Sequence, residues 1–513
     1  MPTTRMMLLT LPLVVGLCTQ AAAAAAGPEL THGLSVGDVS TTEAIVWGRC
    51  SSAAVLDVVA SRVGSRDNKV SGEAEATATS DFTARVRLAG LRPSTAYNVS
   101  VTCRGDGATA ENAGHATFRT APRAHDSQPV RFIVGADLGG QGYCRLVDGG
   151  YRIFAPMTAL KADFFIANGD MIYADNRCQA QGPEAGKAYV PGDFSGVSDA
   201  GVDWTNAAQL DAIYRDHWKY NRADANFQAF LASTPQYVQW DDHEVVNDMG
   251  GAWSRDPHQP MRAGYPLLVE RGLKAFFDYH PILGPGAEPQ RIYRSFRWGR
   301  DLELFLIDAR SYRSRNDAID ERDADDRRTK TMLGDAQLTW LINAVRQSDA
   351  TWKVISSDVP WSIPTGSDAH IYGADAYANG QPWSRSLQQR TGFEQELLYM
   401  LAEWDRANVK NLVVLATDVH YASQMRHRGD FDGDGDALTL HELISGPLSA
   451  IRRPAPAEVD DTLGPVVLYA EGNVFNFATM QVRRKEGAVR FFTDVRDETG
   501  EIRPGSALEI APE

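Results

Sequence analysis

The chain has 513 residues, 43% hydrophobic and 23% charged, with a formal net charge of −15. That length is typical of two or three domains, and the composition is that of a soluble globular protein, neither disordered nor fibrous. The acidic balance argues against a general nucleic-acid binder, though clustered carboxylates holding cations would still admit phosphate substrates.

The first 26 residues, one early Arg5, a short apolar run and a string of alanines, read as a secretory signal with a small-residue cleavage region. The apolar run is too short to span a bilayer comfortably, so no transmembrane segment is expected once it is removed. Leu17 makes Cys18 a poor lipidation site, and the expected location is secreted or periplasmic. Four cysteines then remain, Cys50, Cys103, Cys144 and Cys178, an even number that permits disulfides in an exported chain. Pairing within regions, Cys50 with Cys103 and Cys144 with Cys178, is the expectation. Sequence alone does not fix it, and two free buried cysteines remain the alternative for the first pair.

Residues 28–121 read as all-β. "TEAIVWGRC", "AVLDVVASR" and "YNVSVTC" are short β-rich runs between Ser, Gly, Asp and Asn. "LRPSTAYNVSV", with Trp47 on an earlier strand, resembles a fibronectin type III or immunoglobulin-like sandwich. Asn98, in "NVS", matches a glycosylation acceptor but falls within a strand. Residues 122–129 have the composition of a linker. From residue 130 to 513, apolar strands alternate with amphipathic segments such as "NAAQLDAIYRDHWKYNRADANFQAFLAS" and "LGDAQLTWLINAVRQ", which predicts an α/β domain.

The strands of this second region share an ending. "VRFIVGAD" stops at Asp137, "DFFIANGD" at Asp170 and "YVQWDD" at Asp241 and Asp242. "LELFLID" stops at Asp308, "WKVISSD" at Asp358 and "NLVVLATDVH" at Asp418 with His420. Asp after a strand is common in turns and caps. Six strands ending so, several with a nearby His or Tyr, could instead deliver their acids to one crevice at the strands' carboxyl ends. Carboxylates crowded there repel unless multivalent cations neutralise them, so a two-metal site is the economical reading.

In order along the chain, "GADLGG", "NGDMIYAD", "QWDDHEVVND", "IDARSYR", "SSDVPWS", "ATDVHYAS" and "ELISGPL" resemble the blocks of the PhoD-like alkaline phosphatases, relatives of the purple acid phosphatases among calcineurin-like metallophosphoesterases. The resemblance implies a metallophosphatase-type β-sandwich flanked by helices, preceded by the small all-β sandwich. It assigns Asp137 to a first metal, Asp170 to a position bridging two metals, and Tyr173 to a phenolate ligand suited to ferric iron. It makes Asp242, Asp358, Asp418 and His420 further ligands, several standing where the wider superfamily has nitrogen donors. The resemblance makes His243 the group that protonates the leaving oxygen or stabilises the transition state. Such oxygen-rich ligation suits iron and calcium, the cofactors that the resemblance implies. Several relatives have a cysteine ligand in the first block; Asp137 is expected to replace it, with Cys144 close enough to keep the question open.

The expected reaction is hydrolysis of a phosphomonoester or phosphodiester, small or polymeric, by hydroxide bridging two metals, without a phosphoenzyme. Arg310 and Arg313 are candidate phosphate ligands, Arg310 also a catalytic one, with a salt bridge at the surface or behind the ligands as the equally weighted alternative. Asp308 is expected to orient one of them; Asp241 and Asn247 are candidate extra ligands, with support of the other ligands the favoured role. The enzymatic alternative is a phospholipase D-type phosphodiesterase; a calcium-binding surface or adhesion protein is the remote one. "RGDFDGDGDAL", with Asp430, Asp432, Asp434 and Gly435, copies half of a calcium loop, but His441 stands at the twelfth position and Glu442 one place late.

Overall fold

Two sheets pack face to face around the apolar strands of the second region. The computed structural model describes residues 1–2, 27–65, 69–105, 113–250, 263–365, 375–379, 390–456 and 459–513. All but the first two residues of the expected signal, Cys18 included, lie outside these.

One sheet has nine strands in the order Leu508–Ile510, Ala488–Asp497, Asn476–Lys485, Val130–Gly135, Phe164–Asn168, Gln236–Gln239, Leu30–Gly37, Glu43–Cys50 and Thr83–Ala89. The other has seven: Arg294–Trp298, Leu302–Leu306, Trp352–Ser356, Leu412–Ala416, Leu438–Ile444, Ala422–Gly429 and Val466–Glu471. At the centre of each the strands run parallel. Because side chains alternate across a strand, the same strands feed two cores. Phe132, Val134, Phe164, Ile166, Leu304 and Leu306 point between the sheets. Ile133, Phe165 and Ala167 point outward to the helices on the first sheet, while Phe305 and Ile307 point to those on the second. Burial on both faces is why these strands read as unbroken apolar runs.

Helices Ala207–Arg222, Ala225–Ser233 and Tyr265–Tyr279 cover the first sheet, and Gly334–Gln347 and Glu394–Arg406 cover the second. The long helical stretch predicted from Asn206 breaks in two at Asp224. Its carboxylate caps the second helix at Phe227 N (2.9 Å) and also accepts from Tyr151 N (3.0 Å).

The N-terminal region is a sandwich of Leu30–Gly37, Glu43–Cys50 and Thr83–Ala89 against a four-stranded sheet, Lys69–Ala76, Ala54–Arg62, Ala96–Arg104 and Gly114–Arg119. The Cys50–Cys103 disulfide ties the two layers, and the Tyr97 hydroxyl accepts from Arg92 N (2.9 Å) at the corner before its strand. Two features depart from a free-standing sandwich. Gly37 pairs in parallel with Gln236, so the nine-stranded sheet runs from one region into the other. Trp47, on the sandwich strand Glu43–Cys50, faces away from the sandwich core. Its Nε1 donates to Asp278 O (2.7 Å) and its ring lies under Arg222, within the core of the second region. The strand Glu43–Cys50 is covered on both faces, so alternation alone could not say which core Trp47 joins.

Candidate metal centre

Each of the six strand-end acids sits two residues beyond its strand: Asp137 after Gly135, Asp170 after Asn168, Asp241 after Gln239, Asp308 after Leu306, Asp358 after Ser356 and Asp418 after Ala416. Since these strands are parallel, the acids collect at one end of the sandwich. Asp137, Asp170, Asp418 and His420 have φ of 63°, 51°, 72° and 62°. Left-handed backbone at four non-glycine residues costs on the order of 1–3 kcal/mol each and persists only where surrounding structure imposes it. Gly169, at φ 93°, precedes Asp170; a Cβ there would lie 2.5 Å from Asp241 Cβ, so the glycine lets adjacent strand ends approach.

Ligand atoms converge in overlapping sets. Asp137, Asp170 and His420 form one; Asp170, Asp242 and His243 a second; Asp241, Asp242 and Asp418 a third; Asp242, Asp248 and Asp375 a fourth, with the atoms of each within 4.8 Å of one another. Asp170 belongs to the first two and Asp242 to the last three, so both sit where charge from several sides meets. Both carboxylate oxygens of Asp137, and one each of Asp241, Asp242, Asp358 and Asp418, are buried without a hydrogen-bond partner. Leaving such oxygens unpaired is costly unless a cation takes them. Burial, then repulsion from neighbouring acids, holds the carboxyls of Asp137, Asp170 and Asp418 well above the usual range; burial likewise raises Asp242 to about 6. The donors are hard oxygens with one imidazole, which fits a multivalent metal centre.

Tyr173 joins this centre. Its hydroxyl lies 3.0 Å from His420 Nε2 and its ring packs on His243, centroids 4.1 Å apart. Gly140 makes room for it: a Cβ there would lie 2.5 Å from the tyrosine ring. His420 Nδ1 donates to Ile451 O (2.6 Å), which turns the Nε2 lone pair toward Asp137 and Tyr173. His243 Nδ1 lies 2.7 Å from Asp175 Oδ1, and its Nε2 lies 4.0 Å from Asp242 Oδ1. Burial opposes the charge on His243, but Asp175 and Asp242 outweigh it and raise its pKa to about 10.

Other predicted residues fall elsewhere. Asp358 lies beside Arg310, 3.6 Å from Nε, outside the four converging sets. Arg310 and Arg313, expected to bind phosphate, are both fully buried. Arg310 is held by Asp241 and Asp375, each at 2.5 Å, with its Nη2 3.7 Å from Asp242 and 3.8 Å from Asp418. Arg313 bonds Ala309 O, Asn316 and Asp375. The first neutralises the acid cluster from inside and the second braces Asp375. Asp308 touches neither guanidinium; it accepts from Arg310 N, Ser311 and Trp240 Nε1. Asn247 N donates to Asp175 Oδ2 (3.3 Å), as a support residue would. Cys144 is disulfide-bonded to Cys178, which removes it as a ligand. In the acidic loop, Asp430 carboxylate oxygens accept from Gly433 N and Gly435 N. Glu442 is fully buried against Trp361 N, Ser362 and His427, so it cannot close a calcium loop.

Asp175, Glu244 and Asp375 went unread in the sequence, and Asp248, noted at the end of "YVQWDDHEVVND", was given no role. Glu244 accepts from Asp170 N (3.0 Å), Met171 N (2.7 Å) and Asp241 N (2.8 Å), locking two strand ends together. Asp175, Glu244 and Asp248 stand inside the quoted "NGDMIYAD" and "DDHEVVND" blocks; Asp375 had no local signal.

The comparisons agree with this architecture. The profile of the PhoD-like phosphatase family matches residues 133–491, and that of its N-terminal domain matches residues 17–122. Alkaline phosphatase D of Bacillus subtilis (strain 168) is 25% identical over 428 residues, 79% of this chain; the match takes in 64% of that relative, less than two thirds of its length. The solved structure of PhoD superposes with a TM-score of 0.71 at 19% identity, covering 96% of this chain and 90% of that one. Purple acid phosphatase PPD1 from yellow lupin (Lupinus luteus) seeds superposes at 0.54 with 11% identity, covering 94% and 74%. With its profile matched over most of the length and its strand-end acids converging as described, this chain belongs to the PhoD-like phosphatase family.

Proposed function

We propose that the chain is an exported, metal-dependent phosphohydrolase of the alkaline phosphatase D type, cleaving phosphomonoesters or phosphodiesters. The observation that carries this is the convergence of buried, unpaired carboxylate oxygens on Asp170, next to a histidine whose Nδ1 lies 2.7 Å from Asp175. Asp137, Asp170, Tyr173 and His420 would hold one metal ion, and Asp170, Asp242 and Asp418 the other. Carboxylate and phenolate donors of this kind suit iron and calcium. When bound, a metal pair activates water and offsets the charge of the phosphoryl oxygens.

The protein's own groups supply the rest. Asp175 fixes the His243 ring through Nδ1 and keeps it cationic, so a proton stands at Nε2 toward the acid cluster, ready for the leaving oxygen. Glu244 holds the loops after Asn168 and Gln239 in register. Arg310 keeps the acids from repelling one another apart. For export, the reading rests on the N-terminal signal pattern and on two disulfides. No helix among the described residues is long and apolar enough to cross a membrane.

Hydrolysis of p-nitrophenyl phosphate and bis-p-nitrophenyl phosphate by the metal-loaded protein tests this reading. Wild type turns over at least one of them, and on phenyl phosphate, whose more basic phenolate needs a proton to leave, His243→Asn lowers kcat by roughly 10²–10⁴ through loss of the general acid. Wild-type-like turnover of phenyl phosphate by the variant would remove His243 from the chemistry.

A further inference from the structure

Along several strands that lead to the site, the positions facing the opposite sheet are apolar until the last one. Phe164 and Ile166 are followed by Asn168, Tyr237 by Gln239, Trp352 and Val354 by Ser356, and Val413 and Leu415 by Thr417. These last four side chains are all buried. We propose that Asn168, Gln239 and Thr417 are positioning residues, which fix the separation and register of the two sheets where the metal ligands leave them; this rests on the metal-dependent reading above.

Their bonds run from one sheet to the other. Gln239 Nε2 donates to Ile307 O (2.6 Å) and Ser356 O (2.8 Å). Asn168 Nδ2 donates to Ser357 O (2.8 Å), and its Oδ1 accepts from the Ser356 hydroxyl (2.9 Å). The Thr417 hydroxyl returns across the gap to Asn168 O (2.7 Å) and lies 3.0 Å from Asp358 O. Every strand end tied in this way leads, one or two residues on, to an acid of the site. Asn168 leads to Asp170, Gln239 to Asp241, Ile307 to Asp308, Ser356 to Asp358 and Thr417 to Asp418.

Amides and hydroxyls taken out of water cost free energy unless they are bonded. Apolar side chains would pack the sheets here as they do farther along the strands, but such contacts are non-directional and tolerate sliding. Hydrogen bonds of set length and direction do not. The proposed centre depends on that difference, because each metal position draws on both sheets. Asp418 and His420 follow a strand of the second sheet, while Asp137, Asp170 and Asp242 follow strands of the first. Sliding of one sheet against the other would move Asp418 relative to Asp170. Both acids hold left-handed backbone, φ 51° at Asp170 and 72° at Asp418, a conformation that persists only where neighbours impose it.

The test titrates the metal-stripped full chain with Mn²⁺, a divalent probe suited to oxygen donors, by calorimetry. Thr417→Val keeps the side-chain shape without the hydroxyl, Gln239→Met removes both donated bonds, and Thr417→Ser retains the hydroxyl. Thr417→Val and Gln239→Met bind Mn²⁺ roughly 10–100-fold more weakly than wild type, and Thr417→Ser stays close to it. Trp352→Phe is the matched control. Trp352 Nε1 donates to Val489 O (3.0 Å), a buried bond between the same two sheets at the opposite end of the strand from Ser356. Metal-free Trp352→Phe melts below wild type yet binds Mn²⁺ as wild type does. Wild-type affinity in both Thr417→Val and Gln239→Met overturns the proposal and leaves the metal centre standing. A Trp352→Phe that weakens binding as much also overturns it, since the bonds would then act through overall stability alone. A wild type that takes up no Mn²⁺ overturns the metal-centre reading and the proposal with it.

Discussion

Asp170 illustrates how a single residue trades stability for a site. It is buried among Asp137, Asp241, Asp242 and Glu244, and burial first, then those charges, hold its carboxyl well above the usual range. A raised folded-state pKa contributes stability that is present below the unfolded value, near 3.8, and lost as pH rises through the folded value. Asp242, raised to about 6, and Glu244, raised to about 7 by burial, behave the same way. For Asp242 the shift amounts to roughly 3 kcal/mol at neutral pH. Buried histidines with lowered pKa, such as His217 at about 4, act in the opposite sense below neutrality, so the clean comparison is between variants. Metal-stripped Asp170→Asn melts above the metal-stripped wild type, with a gap that widens as pH rises above the unfolded value near 3.8, by differential scanning calorimetry. With metal restored, the order reverses. A metal-free variant no more stable than wild type would show that the acids do not repel one another as described.

The elements that carry the acids are strands, but loops tie them together. The Cys144–Cys178 disulfide joins the loop after Asp137 to the loop carrying Tyr173 and Asp175. Between them Gln141 N donates to Asn176 Oδ1 (2.7 Å), while the Gln141 side chain accepts from Ile451 N (3.2 Å) on the segment that holds His420. Closing a loop of 34 residues constrains the unfolded chain by about 3–4 kcal/mol. Cys144→Ser/Cys178→Ser should therefore melt several degrees lower and lose activity mainly through kcat, as Asp175 releases His243. Cys50→Ser/Cys103→Ser, remote from the loops, should lose stability without that kcat effect. At this scale the sequence was legible wherever an acid ended an apolar run, because a strand's end and its carboxylate are adjacent in the chain. It was silent on Asp375, which reaches Arg310 and Arg313 from a segment with no apolar period to mark it. For the arginines it left phosphate binding and a salt bridge open. Position after a strand says that a guanidinium is near the acids, not whether Asp241 and Asp375 already occupy it.

Across the whole molecule, the β region at the N-terminus is continuous with the sheet that bears the site. Gly37 pairs with Gln236, Asp38 forms an ion pair with Arg294 (2.6 Å), the Tyr237 hydroxyl donates to Val39 O, and Trp47 is buried among helices of the second region. Composition and turn spacing marked that region as a separate sandwich because those signals are local. The pairing that joins it to Gln236 spans nearly two hundred residues and leaves no local trace. The expected consequence is a single cooperative thermal transition for the intact chain, read by calorimetry, and aggregation of a chain starting at residue 122, whose Gln236–Gln239 strand would become an open edge. Two separated transitions would mean that the regions unfold independently.

The central claim is that the strand-end acids form a multivalent metal centre organised on Asp170. Elemental analysis of the purified protein, wild type against Asp170→Asn, tests it most directly. Near-stoichiometric metal, iron and calcium foremost, is expected in the wild type, and its loss, together with p-nitrophenyl phosphate hydrolysis, in the variant. A wild type that stays free of metal after reconstitution with iron, calcium, zinc and manganese would contradict it, as would a variant that retains the full complement.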